Sequence, residues 1–323
     1  MAFNYLTWLD VGAPTLSGSA GSLISVLDAC LVNGYGSKTP LGWTKEFSGT
    51  NLAAYRQNGT TNNVYLRIND TGTTSSRCIL YGAMTDVNTG TDPTPTETQV
   101  SGGGAIWKSN VADTSARAWV LFGNEKSFYL IIADLGTASN GGINYQSAWN
   151  TMPTAYFFGD FKSYLPGDQW NKLITCLLTT RSTRIVYNSG FSANDRTYVM
   201  RSYTQIGQSI NSGTAFNISY NEGSSWGCVN GSRYPDPISG GMRLGKVFIT
   251  EPAHTAVRGE FPGHYVMFHS YTYTQPGDEF DGTGEFFGKK MKMFKCGNYD
   301  GSTASTMNWV HAPFIINDAW GSY

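Results

Sequence analysis

Between Ser19 and Gly34 the apolar residues recur at helical spacing. Leu23, Ile24, Val26, Leu27, Cys30 and Leu31 fall on one side, and Asn33-Gly34 supplies a C-terminal stop. The pattern predicts one amphipathic helix whose apolar side packs on a sheet. Beyond Tyr35 the period shortens to two. Gly42 to Phe47 and Asn51 to Arg56 read as neighbouring strands, Asn63 to Asn69 alternates cleanly, and Asp70-Thr71-Gly72 turns the chain toward Arg77 to Tyr81. Ala118 to Phe122 and Ser127 to Ile132 flank the short connection Gly123-Asn124-Glu125-Lys126 and form a hairpin. That hairpin is apolar on both faces, so each side of its sheet must be covered, one of them by the helix.

Further strands are expected at Ala155 to Phe158, Leu173 to Leu178, Arg243 to Ile249, Tyr265 to Phe268, Lys290 to Lys295 and Pro313 to Ile316. From about 181 to 240 the chain turns to Ser, Asn, Gly and Arg. Only Tyr198 to Tyr203 and Ala215 to Tyr220 read there as isolated strands among ordered loops. The expected organisation is a helix plus β-rich domain over 1–180, a loop-rich connection over 181–240 and a β-rich domain over 241–323. The expected fold class is mainly β: antiparallel sandwich or barrel-like sheets, with one N-terminal helix packed on the first sheet.

Composition changes the picture in one respect. Only 14% of the 323 residues are charged, against about a quarter in ordinary soluble domains, while 14% are aromatic and 38 are Gly. Such a surface is solvated by hydroxyls, amides and backbone, and suits a protein embedded among neighbours. Lys and Arg total 22 against 23 Asp and Glu, a net charge of −1. No long-range field therefore draws the chain to nucleic acid or an anionic membrane, and copies of it repel one another little. No apolar run reaches the roughly 18 residues that cross a bilayer, and no secretory leader is read at Met1 to Asp10, so the expected site of synthesis is a cytoplasm. Cys30, Cys78, Cys176, Cys228 and Cys296 are odd in number and far apart, which fits buried thiols rather than a disulfide framework or zinc site.

Candidate chemistry is sparse. His264 and His269 lie five apart, on opposite faces of a strand, and with His254 and His311 they read as structural or surface residues. The motif His-Glu-x-x-His does not occur. Asp278, Glu279 and Asp281 lack the regular ligand run of a calcium loop and read as a turn, as do Gly159-Asp160, Gly167-Asp168 and Gly277-Asp278. Gly102-Gly103-Gly104 neither follows a clear strand nor precedes a helix, so it is no phosphate cradle. No catalytic, cofactor or metal residue is assigned. Trp226, Tyr234 and Asp236 form one weak glycan candidate, in which a sugar face would stack on a ring beside a carboxylate; the plainer reading makes Trp226 a core or interface anchor.

Several blocks carry a resemblance. The run from Gly12-Ala13-Pro14-Thr15-Leu16 to Phe47-Ser48-Gly49-Thr50-Asn51 is similar to the opening of a family of tailed-bacteriophage virion structural proteins. So are Ala118-Trp119-Val120, Ser127 to Leu130, Phe158-Gly159-Asp160-Phe161 with Pro166-Gly167-Asp168, Met200 to Gln205, Val257 to Gly263, and Gly288-Lys289-Lys290. The resemblance implies a non-enzymatic particle component of the tail, baseplate or neck, partnered by other virion proteins and by copies of itself. It carries no catalytic residues. The rival expectations are a receptor- or glycan-binding module of a tail fibre that meets a host-surface glycan through the 181–240 segment, and a capsid decoration protein. A depolymerase is disfavoured because solenoid repeats are lacking.

Overall fold

The computed structural model describes residues 3–60, 62–97, 105–109, 111–133, 153–176, 196–206, 209–212, 244–251, 256–267, 277–295, 311–317 and 320. Within them the chain is mainly β, with every paired strand antiparallel and one short helical run near the N-terminus. A seven-stranded central sheet takes the order Asn4–Thr7, Trp119–Gly123, Ser127–Ala133, Pro153–Asp160, Lys172–Cys176, Arg196–Val199, Ser209–Ser212. A five-stranded N-terminal sheet is built from Thr44–Gly49, Leu52–Arg56, Tyr65–Asn69, Ser75–Tyr81 and Ala105–Trp107. The C-terminal sheet joins Lys162–Ser163, Ala256–Met267, His311–Ile315, Lys290–Lys295 and Glu279–Asp281, with Leu244–Glu251 also paired to Ala256–Met267.

Strand alternation explains why the sheets stack in three layers. Trp119, Leu121, Phe128, Leu130, Tyr156, Phe158, Ile174 and Tyr198 leave one face of the central sheet and meet the N-terminal sheet and the helix. Val120, Phe122, Tyr129, Ile131, Phe157, Leu173 and Val199 leave the other and meet the C-terminal sheet. A chain apolar at successive positions needs two covers, and this one has them. The strands Arg196–Val199 and Ser209–Ser212, from the loop-rich stretch, continue the central sheet, where Arg196–Val199 pairs with Lys172–Cys176. Ala215 to Tyr220 lies outside the described residues.

The helix is α-helical over Ser22–Leu27 and widens to π geometry over Asp28–Asn33 before Gly34, whose φ of 74° ends it. Gly21 at its start offers no side-chain cap. Asp70, at the end of a strand of the N-terminal sheet, supplies one instead: its carboxylate accepts from the backbone N–H of Leu23 at 2.8 Å and of Ile24 at 3.3 Å. The same carboxylate pairs with the buried Lys108.

In the C-terminal sheet the register of Leu244–Glu251 against Ala256–Met267 jumps from Lys246 opposite Tyr265 to Phe248 opposite Glu260. The extra residues form a bulge that drives Phe261 and His264 into the core. Gly263, at φ 67°, lies so close to the Trp320 indole that a Cβ has no room. Two sheet edges are guarded. Along Asn4–Thr7, Lys38 donates to the Tyr5 carbonyl at 3.2 Å, and Asp10 accepts the Thr7 N–H at 2.7 Å. The edge strand Thr44–Gly49 carries a bulge between Lys45 and Phe47.

Two turn expectations are corrected. Gly159 and Asp160 lie inside the strand Pro153–Asp160, where Asp160 is paired with Lys172 at 2.7 Å rather than with local backbone. Glu279–Asp281 is a strand opposite Lys290–Lys292, where Lys290 and Lys292 across from it both pair with Glu279.

Candidate functional site

Among the described residues, a dense polar cluster lies where the outer C-terminal sheet meets the end of the central sheet. Three remote segments meet there: residues 160–172, 200–206 and 257–260. Asp168 is the organiser. Its Oδ2 accepts from Arg258 Nε at 2.9 Å, Arg258 Nη2 at 2.7 Å and Ser163 Oγ at 2.6 Å. Its Oδ1 accepts from the Trp170 N–H at 3.0 Å and Gln205 Nε2 at 3.3 Å. Both Asp168 and Arg258 side chains are buried, and the third Arg258 nitrogen, Nη1, donates to the Arg201 carbonyl at 3.3 Å. The guanidinium also lies 5.8 Å from the centre of the Phe161 ring and 5.9 Å from that of Tyr203.

The sequence builds this junction from ordinary parts. Pro166-Gly167 makes a turn, with Gly167 at φ 70°, that brings Asp168 back over Ser163. Arg258 is the residue skipped between the pairs Ile249–Gly259 and Thr250–Val257, so the bulge turns it toward Asp168. Gln205 holds φ 64°, uncommon for a side-chain-bearing residue, in a turn closed by its N–H to the Ser202 carbonyl at 2.8 Å.

Beside it stands a second charged group. Ile249 points into the core, so Phe248 and its cross-strand partner Glu260 face outward. Glu260 pairs with Lys162 at 3.1 Å and Lys246 at 2.9 Å and accepts the Tyr164 hydroxyl. Partial burial opposes its ionisation, but the hydrogen bonds from Tyr164, Lys246 and Lys162 outweigh that and hold its carboxyl below the usual range. Deeper in, burial pushes the Asp160 carboxyl up and the Lys172 ammonium down, each opposed by the other's charge.

Chemically, the arrangement is saturated, with its carboxylates already held by neighbouring donors. Asp168 has its lone pairs directed at fixed donors, and Glu260 is clamped by two ammonium groups and a phenol. Around them Tyr164, Tyr203, Ile206 and Val257 are solvent-exposed, half of the large apolar side chains so placed among the described residues. The junction is a charge-locked platform with an apolar rim.

Trp226, Tyr234 and Asp236, the glycan candidate, lie outside the described residues, as do His254 and His269. His264 is buried against Phe314, with ring centres 4.2 Å apart, and neither ring nitrogen has a hydrogen-bond partner. Among the described residues no group of three or more His, Cys, Asp or Glu converges as a metal site. Sequence reasoning missed Asp168 and Arg258 as partners, because they lie far apart in the chain and Gly167-Asp168 reads as a turn. The signal was there in Val257-Arg258-Gly259-Glu260-Phe261, where charges alternate within an apolar stretch. No family model matches the chain, and no curated protein matches it at a significant level.

Proposed function

We propose that this chain is a non-enzymatic structural component of a tailed-bacteriophage virion, made in the host bacterial cytoplasm and built into the tail, baseplate or neck through apolar and aromatic contacts. The observation that carries this reading is the convergence at the junction. Separated blocks behind the resemblance, Phe158 to Phe161 with Pro166 to Asp168, Met200 to Gln205 and Val257 to Gly263, supply its buried pair and the rim residues Tyr203 and Val257. Saturated charges beneath exposed apolar side chains suit a fixed surface for permanent neighbours, since obligate interfaces are relatively apolar. The partners of this reading are other virion proteins and further copies of the chain.

Fractionating particles on a density gradient and labelling this chain with a specific antibody tests it. The expected result is a constant amount per particle, with label at the tail or neck. Recovery of the chain only in the particle-free lysate would overturn the reading.

A further inference from the structure

The rim is one part of a longer strip whose ends carry opposite charge. At one end, Lys162 and Lys246 are 40% and 48% exposed, whereas the Glu260 they share is 9% exposed, so the accessible charge is positive. At the other end, Arg201 reaches back to Asp92 at 2.8 Å; here the carboxylate is the open partner, 43% exposed against 18% for Arg201. Asp92 belongs to the stretch 83–97, which holds Asp86, Asp92 and Glu97 and no lysine or arginine. Hydrogen bonds join the ends through the middle: Tyr164 N–H to the Arg258 carbonyl at 2.8 Å, Arg258 to Asp168, and Arg258 to the Arg201 carbonyl. The middle is the apolar rim, where Ile206 is 81% exposed.

A strip that is basic at one end, apolar in the middle and acidic at the other matches itself when turned through 180°. That is the requirement for a two-fold interface, in which residue i meets j and j meets i. We infer that the strip is the contact between two copies of this chain. Lys162 and Lys246 of each copy then face the Asp92 end of the other, and Ile206, Tyr203, Tyr164 and Val257 pack across the axis. The net charge of −1 leaves little repulsion to oppose the pairing. This inference rests on the structural reading above and adds the identity of one neighbour and its address on the chain.

Sedimentation velocity of the purified full-length chain decides it. The wild type is expected to be a dimer, and Ile206→Asp a folded monomer with association weakened about 30-fold or more, as for a central interface residue. Thermal unfolding of Ile206→Asp, whose side chain packs on little of its own chain, is expected to match the wild type. Lys246→Glu and Asp92→Lys place like charges at both ends and are each expected to be monomeric. Mixed together they restore opposite charges at both ends and form a heterodimer, a gain that misfolded chains cannot produce. A monomeric wild type at high concentration, a dimer that survives Ile206→Asp, a ring larger than two, or no pairing on mixing would each overturn the inference. A chain found in particles but monomeric in solution would sink the two-fold contact alone; a solution dimer missing from particles would sink the virion reading alone.

Discussion

His264 shows how much a single side chain can hold at risk. It stacks on Phe314 inside the core shared by the central and C-terminal sheets, and burial pushes its pKa down from 6.5 to about 3. In the unfolded chain the ring takes up a proton near its ordinary value; in the folded chain it resists. The neutral ring therefore contributes stability that is complete above about pH 6.5 and lost as pH falls toward 3, at about 1.4 kcal/mol per pH unit. His264→Phe keeps the ring contact and removes the proton site. Chemical denaturation from pH 7 to 4 should show a shallower acid decline for the variant, and parallel declines would contradict the burial. The sequence placed His264 among structural or surface histidines. Its depth was hidden because Pro262 and Gly263 interrupt the strand pattern, and only the bulge they create turns the ring inward.

At the scale of elements, the helix depends on a residue the local sequence does not contain. The periodicity from Leu23 to Leu31 predicts the helix and its buried side, and the structure buries those residues. The widening over Asp28–Asn33 and the cap from Asp70 leave no periodic trace, since the cap arrives from a strand more than 40 residues away. Asp70 also neutralises Lys108, both side chains being wholly buried. Asp70→Ala therefore strips the helix of its cap and strands an ammonium in the core, and is expected to cost about 3–5 kcal/mol. Adding Lys108→Met should recover part of that loss in urea titrations; a double variant no more stable than the single one would show that the charge was not the cost. Strand positions were largely legible from alternation. Asp160 and Glu279 were misread because Gly and Asp signal turns locally, while their partners Lys172 and Lys292 come from other strands.

For the whole molecule, the layered order follows from one legible feature, the hairpin 118–132 with apolar residues on both faces. The helix was readily identified as one cover. The second cover was not, because the C-terminal strands carry ordinary alternation that says nothing of which sheet they meet. Phe122 sits where they meet, in ring contact with Tyr129, Phe294, Phe314 and Trp320. Phe122→Ala is expected to cost about 3–5 kcal/mol, and hydrogen exchange should show Lys290–Lys295 and His311–Ile315 losing protection before Tyr65–Asn69 does. Uniform loss across all three strands would mean that the layers unfold as one unit. The junction was the least legible part, since it exists only once 160–172, 200–206 and 257–260 are brought together.

The guarded strand Asn4–Thr7 has a consequence for the crowded setting in which such a chain would accumulate. The Thr7 amide and the Tyr5 carbonyl are already taken by Asp10 and Lys38, so a stray extended peptide finds two of its anchor points on that border occupied. Copies crowded side against side then have less to join along that strand.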